Sequence, residues 1–404
     1  MLNFQYYMPT RLIFGPDTLN QLGDTPHLPR GKKAMIVIGE SGIMIKLGYL
    51  SRVQSLLAKQ DVQTIVYDKI QPNPESKHVD EAAALCREHG VDFVVGLGGG
   101  STIDSAKAIA FMAANSGLYW DYMASGTGGC KEPENDAIPI VAIPTTAGTG
   151  TEADPWTVIT KQDCAEKIGW GNDSTFPTIS IVDPQLMLSV PPKQTAYTGM
   201  DAFFHAVEAY LATCRQPASD ALALEAVHLI AHTLPEAVAN GDNLEARTVM
   251  AWASTAAGLC ESYSSCISHH SLEHALSAFH PDLPHGAGLT LISRAYFGFL
   301  AACGEERLAD LALAMGDTLE EDIEEDVPGV AFLDALDNLI NACGLGDEKL
   351  TDYGVTREEI PALAENAITT MGALFDITPV QMNMDDVVAI FEAAFDLGEE
   401  ETAE

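Results

Sequence analysis

The first half of the chain alternates short apolar runs with amphipathic segments. Five runs rich in β-branched residues have the length of buried parallel strands: AMIVIG (34–39), QTIVYD (63–68), VDFVVGLG (91–98), PIVAIPT (139–145) and TISIVDP (178–184). Between them, apolar residues three and four positions apart predict helices at residues 47–59, 76–89 and 103–115. This alternation is typical of βαβ units, so we predict a doubly wound, Rossmann-like α/β domain that binds a dinucleotide.

The second half of the chain has no strand pattern. After Pro191 and Pro192 it is rich in Ala, Leu, Met and Glu with helical spacing, and the spacing is interrupted near Gln216, Gly241, Pro281, Gly304, Pro328 and Gly344. The acidic runs at 316–326 and 398–404 are interpreted as exposed helix faces and tail. We therefore predict a dinucleotide-binding α/β domain at residues 1–185 and an all-helical domain at residues 186–404.

Composition restricts the classes of partner. The 404 residues carry 21 basic and 58 acidic side chains, and a formal charge of −37 repels nucleic acid and anionic membranes. The eight cysteines form no CxxC pair, which favours reduced thiols over disulfides or a thiolate zinc site. Because the sequence shows neither a secretory signal pattern nor a long uninterrupted apolar segment, we expect a cytoplasmic protein.

Three predicted strand ends carry residues suited to a dinucleotide. Gly98, Gly99, Gly100 and Ser101 follow the third run and open a helix, whose first amides and dipole favour phosphate. The fourth run leads into hydroxyls and glycines that begin with Thr145 and Thr146, and the first run into Gly39, Glu40 and Ser41. At the end of the first run, Glu40 would favour NAD by accepting a hydrogen bond from a ribose hydroxyl, whereas Gly39 leaves room for the extra phosphate of NADP. The alternative is that these residues form only a solvated turn.

A cluster of imidazoles and one carboxylate predicts a metal site. Asp201 and His205 lie four apart in a helical pattern, so both side chains project from one helix face. Five histidines then fall between residues 269 and 285: His269, His270, His274, His280 and His285. Imidazoles with a carboxylate suit Fe²⁺, Zn²⁺ or Mn²⁺. For His269 and His280 we favour a hydrogen-bonded structural role.

Taken together, these motifs resemble the iron-containing (group III) alcohol dehydrogenases. The resemblance spans nearly the whole chain, and its most specific segments are GGGSTIDSAKAIA (98–110), IPTTAGTGTEA (143–153), GMDAFFHAVEAYLA (199–212) and HSLEHALSAFHPDLPHGAG (270–288). It implies a Rossmann-like domain followed by a helical domain, as in dehydroquinate-synthase-like enzymes, with cofactor and metal meeting in the cleft between them. It also implies a homo-oligomer, a dimer or larger.

The resemblance selects the site residues. It assigns the metal, Fe²⁺ with Zn²⁺ or Mn²⁺ as alternatives, to Asp201, His205, His270 and His285. It places His274 beside the nicotinamide and the reacting carbon, where we interpret it as a catalytic residue that relays a proton, with orientation of the substrate as the alternative role. Around NAD or NADP it places Asn73, Gly99, Gly100, Ser101, Asp104, Thr145, Thr146, Lys167 and the stretch from Leu186 to Val190.

Three departures from the family pattern bear on specificity. The Asp that the family often has near Gly39 is absent, which leaves NAD and NADP open. Glu261 stands where many members have an apolar aromatic residue, which makes the substrate pocket more polar. The segment from Phe279 to His285 is one residue longer than in some members, although PHG (284–286) is intact.

The predicted function is a metal-dependent alcohol dehydrogenase or aldehyde reductase that transfers a hydride between NAD(P) and a small neutral alcohol or aldehyde. A neutral substrate is favoured because residues 249–293 contain no Lys or Arg, the donors that a phosphorylated substrate would need. The alternatives are a dehydroquinate-synthase-like lyase that recycles bound NAD, and a non-catalytic nucleotide-binding scaffold.

Overall fold

The structure is a computed structural model that describes residues 3–316 and 328–400. The chain divides into two compact units, Met1–Ser189 and Val190–Glu404.

The first unit is built on a parallel sheet. Its eight strands are β1 (Arg11–Phe14), β2 (Lys33–Gly39), β3 (Gln63–Ile70), β4 (Phe93–Gly98), β5 (Ile140–Pro144), β6 (Thr157–Lys161), β7 (Glu166–Trp170) and β8 (Ile179–Val182). Six of them form one all-parallel sheet in the order β1-β8-β5-β4-β2-β3, and β6 and β7 form an antiparallel pair. The chain leaves β2 and β4 toward opposite edges, so the point between them is where a doubly wound sheet binds ligands.

Four helices accompany this sheet: α1 (Ile43–Lys46), α2 (Tyr49–Lys59), α3 (Ser76–His89) and α4 (Gly100–Ala114). The strands β4, β5 and β8 are buried along their whole length, as expected of a parallel sheet covered on both faces. The helix α4 is also buried on most of its surface, which agrees with its high content of Ala and Ile.

The second unit is helical throughout its described residues. Its helices are α5 (Pro192–Leu211), α6 (Pro217–Ala239), α7 (Leu244–Ser264), α8 (Ser268–Phe279), α9 (His285–Ala302), α10 (Leu308–Ala314), α11 (Pro328–Ala342), α12 (Ile360–Met371), α13 (Ala373–Asp376) and α14 (Met384–Glu400). Helix α5 is buried from Thr195 onward except at Thr198, and it packs against α6, α7 and α9. Among the helices of the described residues, none has the length and apolar character needed to cross a membrane.

The predicted fold class, a Rossmann-like α/β domain followed by helices, is confirmed. The sequence pattern did not predict β1, the β6–β7 hairpin or the break between α7 and α8. Most of the acidic run at 316–326 lies outside the described residues.

Candidate metal centre and cofactor loops

One face of α5 carries three functional side chains. Asp201, His205 and Glu208 follow each other at intervals of four and three residues, which places them along one helix face. All three are buried, Glu208 completely. Polar groups in such an apolar helix need partners, so the rest of the site must supply them.

Helices α8 and α9 bring two more imidazoles to this face. Nε2 of His270 lies 3.9 Å from Oδ1 of Asp201, and Nε2 of His285 lies 3.5 Å from the same oxygen. Nδ1 of His205 lies 3.6 Å from it. The four residues that the family resemblance assigns as ligands are therefore brought together around one carboxylate oxygen.

These donors fit a divalent metal ion. Oδ1 of Asp201, Nδ1 of His205 and Nε2 of His270 are buried and have no hydrogen-bond partner among the described residues. Ligand atoms of Asp201, His270 and His285 lie within 4.8 Å of one another. Buried polar atoms without hydrogen bonds are costly, and a shared cation would satisfy all of them at once.

The charge states of His205 and Asp201 agree with ligation. Burial lowers the pKa of His205 to about 4, so its ring is neutral at pH 7 and keeps a lone pair. Burial acts to raise the pKa of Asp201, but the imidazoles of His205 and His285 outweigh it and hold the pKa below its usual range. A neutral imidazole and an ionised carboxylate are the forms that bind metals.

Two buried carboxylates contact the histidines from behind, and the sequence analysis missed both. Oε1 of Glu208 lies 2.6 Å from Nδ1 of His270, and Oε2 of Glu273 contacts Nδ1 of His285. Both glutamates are fully buried. A signal was available, because Glu208 is three residues after His205 and Glu273 three after His270, each on the same helix face as a ligand.

The other histidines of the cluster differ in their surroundings. His274 is buried, and its ring centroid lies 5.6 Å from that of His285 and 6.2 Å from that of His270. The ring of His269 faces Oε1 of Glu208 through Nδ1 and the carbonyl of Leu289 through Nε2. His280 lies apart from these contacts, with Nε2 at 3.4 Å from Oε2 of Glu359.

Two further side chains border the cluster. Oε2 of Glu261 lies 3.7 Å from Nε2 of His205, so a carboxylate stands beside one of the proposed ligands. The buried thiol of Cys266 has its Sγ within 4.8 Å of ligand atoms of His205 and His270. The side chains that border Asp201, His205, His270 and His285 therefore include polar groups.

The two glycine- and threonine-rich loops of the first unit lie side by side. Gly98 at the end of β4 pairs with Pro144 at the end of β5, and the amide of Thr145 donates to the carbonyl of Gly98 at 2.9 Å. A Cβ atom at Gly100 would overlap Cγ2 of Thr149. The start of α4 thus packs directly on the second loop, as a shared phosphate site requires.

A buried lysine that the sequence analysis missed stabilises the second loop. Nζ of Lys107 donates to Oγ1 of Thr151 at 2.6 Å, to the carbonyl and Oδ1 of Asp154 at 2.8 and 2.9 Å, and to the carbonyl of Trp156 at 2.9 Å. Asp104 belongs to the same network, because its two oxygens accept from Oγ1 of Thr151 and the amide of Val158. Asp104 therefore has protein partners on both oxygens.

The remaining predicted cofactor residues are spread over the first unit. Gly39 ends β2, which neighbours β4, and Glu40 and Ser41 follow it as exposed residues. Asn73 has a left-handed backbone, with φ of 53°. Lys167 lies on β7 with only 3% of its surface exposed, and Leu186 is a core residue. Val190 belongs to the second unit, where its carbonyl accepts from Arg247 at 2.9 Å.

Comparison with known proteins identifies the family. Residues 9–184 match the family described as iron-containing alcohol dehydrogenase, and residues 195–395 match its C-terminal domain. The 1,3-propanediol dehydrogenase of Klebsiella pneumoniae is 33% identical over 401 residues, which cover 97% of this chain and 99% of that protein. Alcohol dehydrogenase 4 of Saccharomyces cerevisiae is 34% identical over 393 residues, covering 97% and 98% respectively.

Solved structures agree with the sequence comparison. A halo-thermophilic archaeal alcohol dehydrogenase from a Red Sea brine pool has a TM-score of 0.92 at 34% identity, covering 98% of this chain and 99% of that one. A 1,3-propanediol oxidoreductase has a TM-score of 0.88 at 32% identity, with 98% and 100% covered.

A parallel dinucleotide-type sheet, a helical unit and a histidine-carboxylate cluster are the parts that a metal-dependent dehydrogenase requires. The chain belongs to the iron-containing alcohol dehydrogenase family. The predictions of this family and of an alcohol dehydrogenase are confirmed, and the dehydroquinate-synthase-like lyase is not favoured. Membership also supports a metal and NAD as the cofactors.

Proposed function

We propose that the chain oxidises small neutral alcohols, or reduces the corresponding aldehydes, with one divalent iron ion held by Asp201, His205, His270 and His285. The observation that carries this proposal is the convergence of three buried atoms, one each from Asp201, His205 and His270, that form no hydrogen bond within the part of the chain that the structure describes. Zn²⁺ and Mn²⁺ suit the same donors and remain alternatives.

The roles of the residues follow from their positions. A divalent ion supplies Lewis-acid polarisation of the substrate oxygen, and the nicotinamide supplies or accepts the hydride. Asp201 would provide the negative charge that imidazole ligands lack. His274 is buried, and its ring centroid lies 5.6 Å from that of His285. It is our candidate for holding the proton exchanged with the alcohol.

The cofactor would bind the first unit at the carboxyl ends of β2, β4 and β5. The amides of Gly99, Gly100 and Ser101 at the start of α4 would receive the pyrophosphate, with Thr145 and Thr146 beside them. The exposed Glu40 and the adjacent Gly39 leave the choice between NAD and NADP to experiment. A Bacillus subtilis relative is named as a probable NADH-dependent butanol dehydrogenase, which supports NAD(H).

Two observations support a small neutral substrate. Residues 249–293, which include α8 and the start of α9, contain no Lys or Arg to bind an anionic group. Relatives are named for propanediol, butanol and methanol. The eight cysteines are all thiols, which suits a reducing compartment, so we propose the cytoplasm as the location and a homo-oligomer as the working form.

The test is a substrate panel on protein reconstituted with Fe²⁺ or Zn²⁺. Short alcohols, diols and aldehydes are assayed with NAD(H) and with NADP(H), and metal content is measured on the same samples. We expect turnover with about one metal per chain, and loss of both metal and turnover in Asp201→Asn. Inactivity across the whole panel, or full activity of the metal-free protein, would overturn the proposal.

A further inference from the structure

We propose that Glu208 and Glu273 are positioning residues that hold His270 and His285 with Nε2 directed at the metal. Each glutamate contacts Nδ1 of its histidine, and in both histidines Nε2 lies within 3.9 Å of Oδ1 of Asp201. The inference rests on the proposed function, in which four residues bind the metal, and it adds the groups that orient two of those four ligands.

Glu208 connects α5 to the start of α8. Its Oε1 lies 2.6 Å from Nδ1 of His270, and its Oε2 accepts from the amide of Ile267 at 2.8 Å. An ionised carboxylate only accepts hydrogen bonds, so Nδ1 of His270 carries a proton, which leaves Nε2 as the nitrogen that can bind a metal. Glu208 therefore selects the tautomer of His270 and also anchors the backbone turn that leads into α8.

The position of this turn is demanding. Ser265, between α7 and α8, has φ of 62° and ψ of 171°, a positive-φ conformation that is essentially restricted to glycine. The amide of Ile267, two residues later, is the group that Glu208 binds. The same carboxylate thus stabilises a strained turn and orients the imidazole of His270 that follows it. Strained backbone of this kind clusters at functional sites, where the surrounding contacts hold it in place.

Glu273 does the same for His285 from within α8. Its Oε2 contacts Nδ1 of His285, and its Oε1 accepts from the hydroxyl of Ser277 one turn further along the helix. The carboxylate is fully buried and has a protein partner on each oxygen. Because Ser277 holds one oxygen, the other is directed toward His285.

His205 is held differently. Both of its ring nitrogens face carboxylates only at longer range, 3.6 Å to Asp201 and 3.7 Å to Glu261. Carboxylates that hydrogen-bond metal-ligating histidines typically change metal affinity by about 10- to 100-fold. The structure therefore distinguishes two positioned imidazoles from a third without a close carboxylate contact.

The experiment compares Glu208→Gln and Glu273→Gln with the matched control Glu166→Gln. Glu166 is also a buried glutamate with several donors, from Trp120 and Thr127, but it belongs to the first unit. Metal affinity is measured by competition with a chromogenic chelator for Zn²⁺ and Co²⁺. The thermal midpoint of each metal-free protein and the visible spectrum of the Co²⁺ form are recorded in parallel.

We expect zinc affinity to fall by about 10-fold or more in both site variants, by analogy with other carboxylate–histidine pairs, and the Co²⁺ spectrum to change. The control should keep wild-type affinity and spectrum. If Glu208→Gln fails to fold, Glu273→Gln carries the test alone. Wild-type affinity in a folded site variant, or an equal loss in Glu166→Gln, would overturn the inference, whereas a wild-type protein that binds no metal would overturn the proposed function instead.

Discussion

Gly286 packs directly against the backbone oxygen of Tyr197, so closely that a Cβ atom at position 286 would overlap that oxygen. The contact joins the first turn of α9 to α5, one residue from His285 and one helical turn from Asp201. The absence of a side chain therefore allows the helix that carries one ligand to approach the helix that carries two others. This is a structural reason for glycine in the PHG segment.

The first prediction concerns this contact. Gly286→Ala should weaken zinc binding by about 10-fold or more and lower the thermal midpoint, because overpacking a helix contact costs roughly 1–3 kcal/mol. Gly298→Ala, on the same helix, is the control, since no neighbouring atom of the described residues lies within 4 Å of a Cβ there and alanine favours a helix. Chelator competition on both variants checks this. Equal metal affinity in the two proteins would refute it.

The second prediction concerns the proton. His274→Ala should lower turnover by roughly 100-fold or more, the scale of general acid–base catalysis, while metal content stays near one per chain. His280→Ala, whose imidazole faces Glu359 instead, should retain turnover. Steady-state rates and metal analysis on the same samples decide the matter. Loss of metal from His274→Ala would reassign this residue as a ligand.

The third prediction concerns the cofactor. Gly100→Ala should weaken NAD(H) binding by about tenfold, equivalent to roughly 1.4 kcal/mol, because the new methyl group displaces Thr149 and occupies the start of α4. Metal content should not change. Titration of nicotinamide fluorescence measures the affinity, and Gly298→Ala again serves as the control. Unchanged cofactor affinity would argue against a pyrophosphate at this turn.

The sheet was predictable because its signal is local. Each of the five predicted strands is present with both ends within two residues of the prediction, since buried parallel strands are continuous apolar runs. The strand Arg11–Phe14 was missed because four residues at a sheet edge show no periodicity. The hairpin of β6 and β7 was missed because its turn uses Ala165 in a left-handed conformation, where a glycine or asparagine would have signalled a turn.

The site was predictable only in part, for a physical reason. Spacing along a helix identifies pairs such as Asp201 and His205, but it does not say which of five later histidines face them. That depends on the packing of α8 and α9 on α5, through contacts such as Gly286 against Tyr197. The family resemblance supplied the selection of His270 and His285. The roles of Glu208 and Lys107 were not predicted, because a charged residue in a sequence is normally assigned to the surface and nothing local shows that it is buried.

The fourth prediction uses the buried charges around Lys107. Asp104 is enclosed with Lys107 and Asp154, and it accepts from Oγ1 of Thr151 and the amide of Val158. Burial raises the pKa of Asp104 to about 6, against the opposing effect of Lys107 and with a further increase from Asp154. The ordinary value is 3.8, so the folded protein holds this proton more tightly than the unfolded chain does.

The direction in which the free energy of unfolding changes with pH follows from that difference in proton binding. Well below the ordinary pKa of 3.8 the carboxyl is protonated in both states and its burial has no ionisation cost, whereas well above pH 6 it is ionised in both and its burial lowers the free energy of unfolding. The wild type should therefore lose stability relative to Asp104→Asn as the pH rises from 4.5 to 7, by about 1–3 kcal/mol for a shift of this size. Urea midpoints of both proteins across this range test it. A stability difference that does not vary with pH would show that Asp104 titrates near its ordinary value, with Lys107 offsetting the cost of its burial.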